Sequence, residues 1–208
     1  PLKKQLWKTI VTEKINNQAL ALQHLELIGK SDYLKKQADS VTSGDATNRE
    51  AVAAKVYWDS LFGKSFTRNL DGDGINAFLN YGYSVLRGVI ARAVSSVGLH
   101  PSLGLHHSNK LNAYCLVDDL MEPFRPIVDL YVYQLSQHHT ELDFYSKQVL
   151  QKISHVDLLV DKGRSPLVKA AEYYATSLTK SFRSKRNELC IPSLIKEEVL
   201  EQTSPLPF

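Results

Sequence analysis

From Gly74 to about Val97 the chain sets Ile75, Phe78, Leu79, Leu86, Val89, Ile90, Ala93, Val94 and Val97 at helical spacing. That apolar face is too broad for a helix lying on a surface. Other elements must cover it, so the sequence predicts an all-α fold, a multi-helix bundle around a long central apolar helix. Gly98 is placed to stop that helix, and Asp73 reads as its N-cap. The preceding DGDGIN only superficially resembles a calcium loop. Ile75 sits where an oxygen ligand belongs, Asn76 replaces the turn glycine, and Gly82 stands where a bidentate glutamate is required.

The flanking segments are also read as helical. Leu6, Ile10, Val11, Ile15, Leu20, Leu22, Leu25 and Ile28 follow a helical period from Pro1 to about Ile28, with Gly29 as the break and a shorter helix near Tyr33 to Ser40. This first helix begins without a preceding strand or cap, as expected of a fragment or a chain that starts after a removed domain. Glu50, Ala54, Tyr57 and Leu61 share one helical face, and Thr47 with Glu50 has the spacing of a capping box. A helix continues through Leu130 to Leu135, a mixed region covers Gln137 to Val160 with a helix near Tyr145 to Ile153, and Ser165-Pro166 reads as an N-cap and first-turn proline. That proline opens a helix to about Lys185 with Leu167, Val168, Ala171, Tyr174, Leu178 and Phe182 inward. The division is a helical domain at 1–190 and a tail at 191–208 with a short helix and a loose end. No run of strands stands out.

The chemistry-bearing stretch is Gly98 to Asp129. A loop carrying His106 and His107 leads into Asp118, Asp119, Glu122 and Arg125, and helical spacing sets Glu122 beside an aspartate on one side and Arg125 on the other. Two readings stand. Three carboxylates in five residues can gather a divalent ion, with imidazole and carboxylate donors suiting Mg²⁺ or Mn²⁺ better than structural zinc. Alternatively the segment is a solvated acidic turn neutralised by Arg125. Glu50 carries the same ambiguity, as a helix cap or as an acid aimed into a shared pocket.

Of the 208 residues, only Cys115 and Cys190 are thiols, too few for a disulfide framework, and the expectation is two free thiols in a reducing, cytoplasmic compartment. No apolar run reaches the roughly 18 residues that span a bilayer. The net charge of +3 is a weak sign of nucleic-acid binding, although Lys180, Arg183, Lys185 and Arg186 cluster late in the chain.

Taken together, DGINAFLNYGYSVLRGVIARAVSSVGLHPSLGLHH, NAYCLVDDLMEPFRPIVD and LWKTIVTEKINNQALAL resemble the C-terminal helical domain of the CRISPR-associated integrase family Cas1, in its type II flavour. The resemblance covers nearly the whole chain. It implies a metal held by Glu50, by His107, which closes the GLxPxxGxxH pattern, and by Glu122 of LMEPFRP, the same three residues being catalytic. Asp119 and Arg125 are implied as supporting groups, and Mg²⁺ or Mn²⁺ as the cofactor. The implied activity is metal-dependent insertion of short DNA fragments into a CRISPR array, by attack of a 3′-hydroxyl on a phosphodiester. The implied partners are double-stranded DNA, a second copy of the chain and the small adaptation protein Cas2. Backbone contacts to DNA are assigned to Arg92, Lys110, Lys169 and Arg183. The family's β-rich N-terminal domain is absent from this sequence. The competing reading is a non-catalytic helical DNA-binding or assembly module. An unrelated metallohydrolase is weakened because no His is followed by Asp and no H-E-x-x-H occurs.

Overall fold

The computed structural model describes residues 2–161 and 163–195. Helices α1 (Leu2–His24), α2 (Ile28–Asp39), α3 (Arg49–Phe62), α4 (Ile75–Ser96), α5 (Cys115–Met121), α6 (Arg125–Ser136), α7 (Phe144–Gln151) and α8 (Leu167–Ser184) make the structure mostly helical. A small antiparallel sheet accompanies them, built from β1 (Asp157–Val160), β2 (Gly163–Pro166) and β3 (Ser193–Leu194) in the order β2-β1-β3. Leu158 faces Ser165 on one side and Leu194 on the other.

The apolar α4 packs against α5, α6, α7 and α8, but α1 gathers α2, α3, α6 and β3, so two helices share the organising role. Leu6, Trp7, Ile10, Val11, Ile15, Ala19, Ala21 and Leu22 bury several sides of α1. A helix enclosed nearly all round has no single polar face. Any polar group it carries there must find a partner inside the protein.

Several expected boundaries move, each for a local reason. The break after α1 falls at Glu26, not Gly29, because Glu26 takes a left-handed conformation (φ 60°) while Leu27 N–H bonds Leu22 C=O at 2.9 Å and Glu26 N–H bonds Gln23 C=O at 3.1 Å. This is a glycine-type helix stop made with a glutamate. Gly29 lies inside α2. The same pattern after α4 does use the expected glycine, Gly98 (φ 76°), with Leu99 N–H on Val94 C=O. Gly74, not Asp73, occupies the N-cap of α4 and no side chain caps it. The DGDGIN region is stapled instead by Asn76, whose side-chain oxygen accepts from the Asn69 amide and from Arg68.

The sheet is the largest departure from an all-α reading. Four-residue strands are too short to establish an alternating pattern in sequence. Ser165-Pro166 ends β2 with Pro166 itself at the N-cap of α8, and Phe182 is exposed rather than inward. In the tail, Ser193–Leu194 is a strand, and the rest of the expected tail helix lies outside the described residues.

Gly82 marks the closest approach of α4 to α6: a Cβ there would stand 2.5 Å from Val128 Cγ1. Gly82→Ala gains about 1 kcal/mol of helix propensity and loses about 1–3 kcal/mol to overpacking. The expected net result is destabilisation in chemical denaturation. Trimming the facing side chain with Val128→Ala should recover part of it, so that the double variant is more stable than the sum of the single effects.

Candidate metal centre

The polar centre starts on α1. Lys14 falls four residues after the buried Ile10 and seven after Trp7, so its side chain points inward and is only 11% exposed. An ammonium there requires counter-charges. It finds two: Nζ lies 2.6 Å from Glu50 Oε1 and 2.5 Å from Glu122 Oε2. Glu50 comes from the first turn of α3 and Glu122 from the 3₁₀ turn Glu122–Phe124 that joins α5 to α6. Pro123 and Pro126 interrupt the helix here, which opens the joint that carries Glu122.

Glu50 is free to reach Lys14 because another residue caps its helix. The Asp45 carboxylate accepts from Arg49 N–H at 2.8 Å and Glu50 N–H at 3.0 Å. The capping box between Thr47 and Glu50 is therefore not formed. Arg125 Nε donates to Glu122 Oε1 at 2.8 Å, as the i,i+3 spacing predicts. Glu122 Oε2 meets Lys14 as an ion pair without a well-directed hydrogen bond. Burial by itself raises the Glu122 carboxyl, and the neighbouring Arg125 and Lys14 reverse that and hold it at about 2. Burial also disfavours the Lys14 charge, and Glu122 and Glu50 together outweigh it, so its ammonium titrates above the ordinary lysine value.

Asp119 organises the histidine loop. Its fully buried carboxylate accepts from the amides of Leu105 (2.6 Å), His106 (2.9 Å) and His107 (3.3 Å), and Oδ1 stands 2.5 Å from His107 Nδ1. That hydrogen bond is the main cause of the raised His107 pKa, and Glu122 adds to it through space. With Nδ1–H donated to Asp119, Nε2 of a neutral imidazole carries the free lone pair. Trp7 stacks on His106 with ring centres 4.3 Å apart, and Lys3 Nζ donates to Gly104 C=O at 3.0 Å. The loop is tight enough that a Cβ on Gly104 would stand 2.2 Å from His107 C=O.

The three neighbouring acids thus diverge. Asp118 pairs with Arg87 at 2.8 Å, Asp119 takes the loop amides and His107, and Glu122 takes Lys14 and Arg125. Glu50 and Glu122 are brought together on one cation, while His107 is held separately on Asp119. Among the described residues no three His, Cys, Asp or Glu side chains stand together as a ready metal site. The side chains with donor atoms that could hold a cation are the Glu50 and Glu122 carboxylates and His107 through Nε2. Arg92, Lys110, Lys169 and Arg183 are all exposed, on α4, the loop before α5, and α8, with Lys169 paired to Glu172 at 2.9 Å.

A third buried acid, Asp129 on α6, is not among the site residues legible in the sequence. It accepts from the hydroxyls of Tyr57 (3.0 Å) and Tyr83 (2.5 Å), and the Arg125 guanidinium lies 4.5 Å over the Tyr83 ring. Burial pushes the Asp129 carboxyl up to about 7 against the pull of these partners. Lys14 was missed too, although a lysine in phase with Trp7 and Ile10 is a visible signal.

The fold and its polar centre define a helical domain in which paired carboxylates and a carboxylate-held histidine stand at the junction of α1, α3 and the α5–α6 joint. The chain belongs to the CRISPR-associated Cas1 family: residues 2–172 match the model for CRISPR associated protein Cas1. It is 38% identical over 199 residues to the CRISPR-associated endonuclease Cas1 of Neisseria meningitidis serogroup C (strain 8013), covering 94% of this chain and 65% of that protein. The chain thus spans just under two thirds of that relative's length. A casposase bound to integration product shares the fold (TM-score 0.73, 20% identity, 99% of this chain and 66% of that one). So does a chain of a Cas6-RT-Cas1–Cas2 complex (TM-score 0.73, 18% identity, 95% and 25%). No helix among the described residues is long and apolar enough to cross a membrane.

Two outcomes are expected. Asp119→Asn places an amide NH₂ against either the loop amides or His107, at about 1–3 kcal/mol for each group left unpaired, and should lower the denaturation midpoint. Asp129 holds its proton more tightly folded than unfolded, so between pH 3.8 and about 7 its contribution makes stability fall as pH rises. Thermal melts of Asp129→Asn across that window should lack this fall.

Proposed function

We propose that this chain is the helical, metal-binding part of a CRISPR integrase that inserts short DNA fragments into a CRISPR array by 3′-hydroxyl attack on a phosphodiester. The observation that carries the reading is the convergence of Glu50 and Glu122, from separate helices, on one cationic point, with His107 oriented by Asp119 and electrostatically coupled to Glu122. The donor chemistry of two carboxylates and one imidazole fits Mg²⁺ or Mn²⁺. Bound there, the ion would polarise a phosphoryl oxygen and lower the pKa of the attacking hydroxyl.

The chain's own residues prepare this chemistry. Asp119 fixes the tautomer and direction of His107, so that Nε2 faces outward as a ligand. Arg125 fixes one oxygen of Glu122 and keeps the carboxyl ionised. The two carboxylates already stand together on Lys14, and His107, held separately on Asp119, would complete the ligand set on binding. Arg92, Lys110, Lys169 and Arg183 supply salt-sensitive contacts to the DNA backbone. Neighbours of the same fold, a casposase bound to integration product and a Cas6-RT-Cas1–Cas2 complex, together with the family resemblance support double-stranded DNA, Cas2 and a second copy of the chain as partners.

One observation favours a second reading. The Glu50 and Glu122 charges are already balanced by Lys14 and Arg125, as in a non-catalytic DNA-binding or assembly module whose acids are structural. Strand transfer separates the two. Glu50→Ala, His107→Ala and Glu122→Ala should each abolish Mn²⁺-dependent joining of a labelled DNA fragment to a repeat-containing target, with DNA binding largely retained. Normal joining by a folded His107→Ala protein sinks the integrase reading.

A further inference from the structure

We propose that Lys14 is a resident counter-ion displaced by the divalent cation, its ammonium leaving the gap between Glu50 and Glu122 as the metal binds. The inference rests on the metal-binding reading of those two carboxylates. It starts from how little of them is free. Glu122 Oε1 is taken by Arg125 Nε at 2.8 Å, and Glu122 Oε2 and Glu50 Oε1 by Lys14 Nζ at 2.5 and 2.6 Å. Three of the four oxygens already face a cation. A small divalent ion binds carboxylate oxygen at about 2.0–2.2 Å, so an ion seated between these oxygens would claim the space that Nζ occupies. Its two positive charges would also meet a pair of carboxylates whose own charge is already cancelled.

Of the two bases, Lys14 is the one built to move. Arg125 is held by its bond to Glu122 and by stacking over Tyr83 at 4.5 Å. Lys14 ends a flexible four-carbon stem, and beside it lies an open cavity of about 170 Å³ lined by Gln18, Trp58, Tyr83, Asp129 and the guanidinium residues Arg68 and Arg125. The displaced ammonium has room there and polar groups to bond, the Gln18 amide and the Asp129 carboxyl among them. Apo protein would thus keep its acid pair neutral and folded with an internal cation. The same contact would lower affinity for the metal.

Mn²⁺ binding is measured by electron paramagnetic resonance of the free ion, on the whole chain and on Lys14→Met. The expected result is an apparent Kd lower by roughly tenfold in the variant, the effect of losing one modest charge interaction, together with a lower melting temperature without metal. Because the variant can fail to fold, amine labelling with peptide mapping is run on the unaltered chain, where Lys14 should label faster once Mn²⁺ is added. If the unaltered chain binds Mn²⁺ but Lys14→Met binds no more tightly, or Lys14 labelling does not change, displacement is overturned and the metal site stands. If neither protein binds Mn²⁺, the metal site itself falls.

Discussion

One buried ammonium joins the parts of this domain that must meet. Lys14 sits on a helix buried on several sides and touches acids from α3 and from the α5–α6 joint, so that one ammonium offsets the charge of both. The contact therefore fixes three elements relative to one another as well as balancing charge. Arg125 adds a second cation on the other carboxylate oxygen of Glu122, and the two together keep Glu122 ionised despite its burial. The packing of α1 and the electrostatics of the acid pair are in this sense a single constraint.

Asp119 does the corresponding work for the loop. A fully buried carboxylate with three amides and an imidazole on it has little reason to move, and the backbone around it closes tightly enough to require Gly104. Its neighbours in sequence turn elsewhere, Asp118 to Arg87 and Glu122 to Lys14. Acids adjacent in the chain are thus distributed to separate tasks. Acids distant in the chain, Glu50 and Glu122, share one.

The helical architecture was legible because α4 and α8 carry their apolar faces at regular spacing, and the Glu122–Arg125 pair was legible because helical neighbours three apart meet. The stop after α1 was not, since a glutamate took the conformation for which a glycine three residues later was the visible candidate. The sheet was not, since its strands are too short to alternate. Glu50 could be read as a cap from spacing alone; only the fold reveals that Asp45 performs that role and releases it. Lys14 and Asp129 stand outside any local cluster of acids and histidines, because their partners come from remote segments: Glu50 and Glu122 for the lysine, Tyr57 and Tyr83 for the aspartate.

Asn17, one turn after Lys14 on α1, bonds the carbonyls of Pro123 and Pro192 and accepts from Leu194 N–H. A side chain of the first helix is therefore satisfied jointly by the α5–α6 joint and by the segment around β3. During synthesis, α1 emerges before either segment, and its Asn17 amide gains its full set of protein partners only once both have been made. The helix bearing the internal cation reaches its final surroundings only after residues 192–194 have been translated, which couples maturation of the polar centre to synthesis of β3.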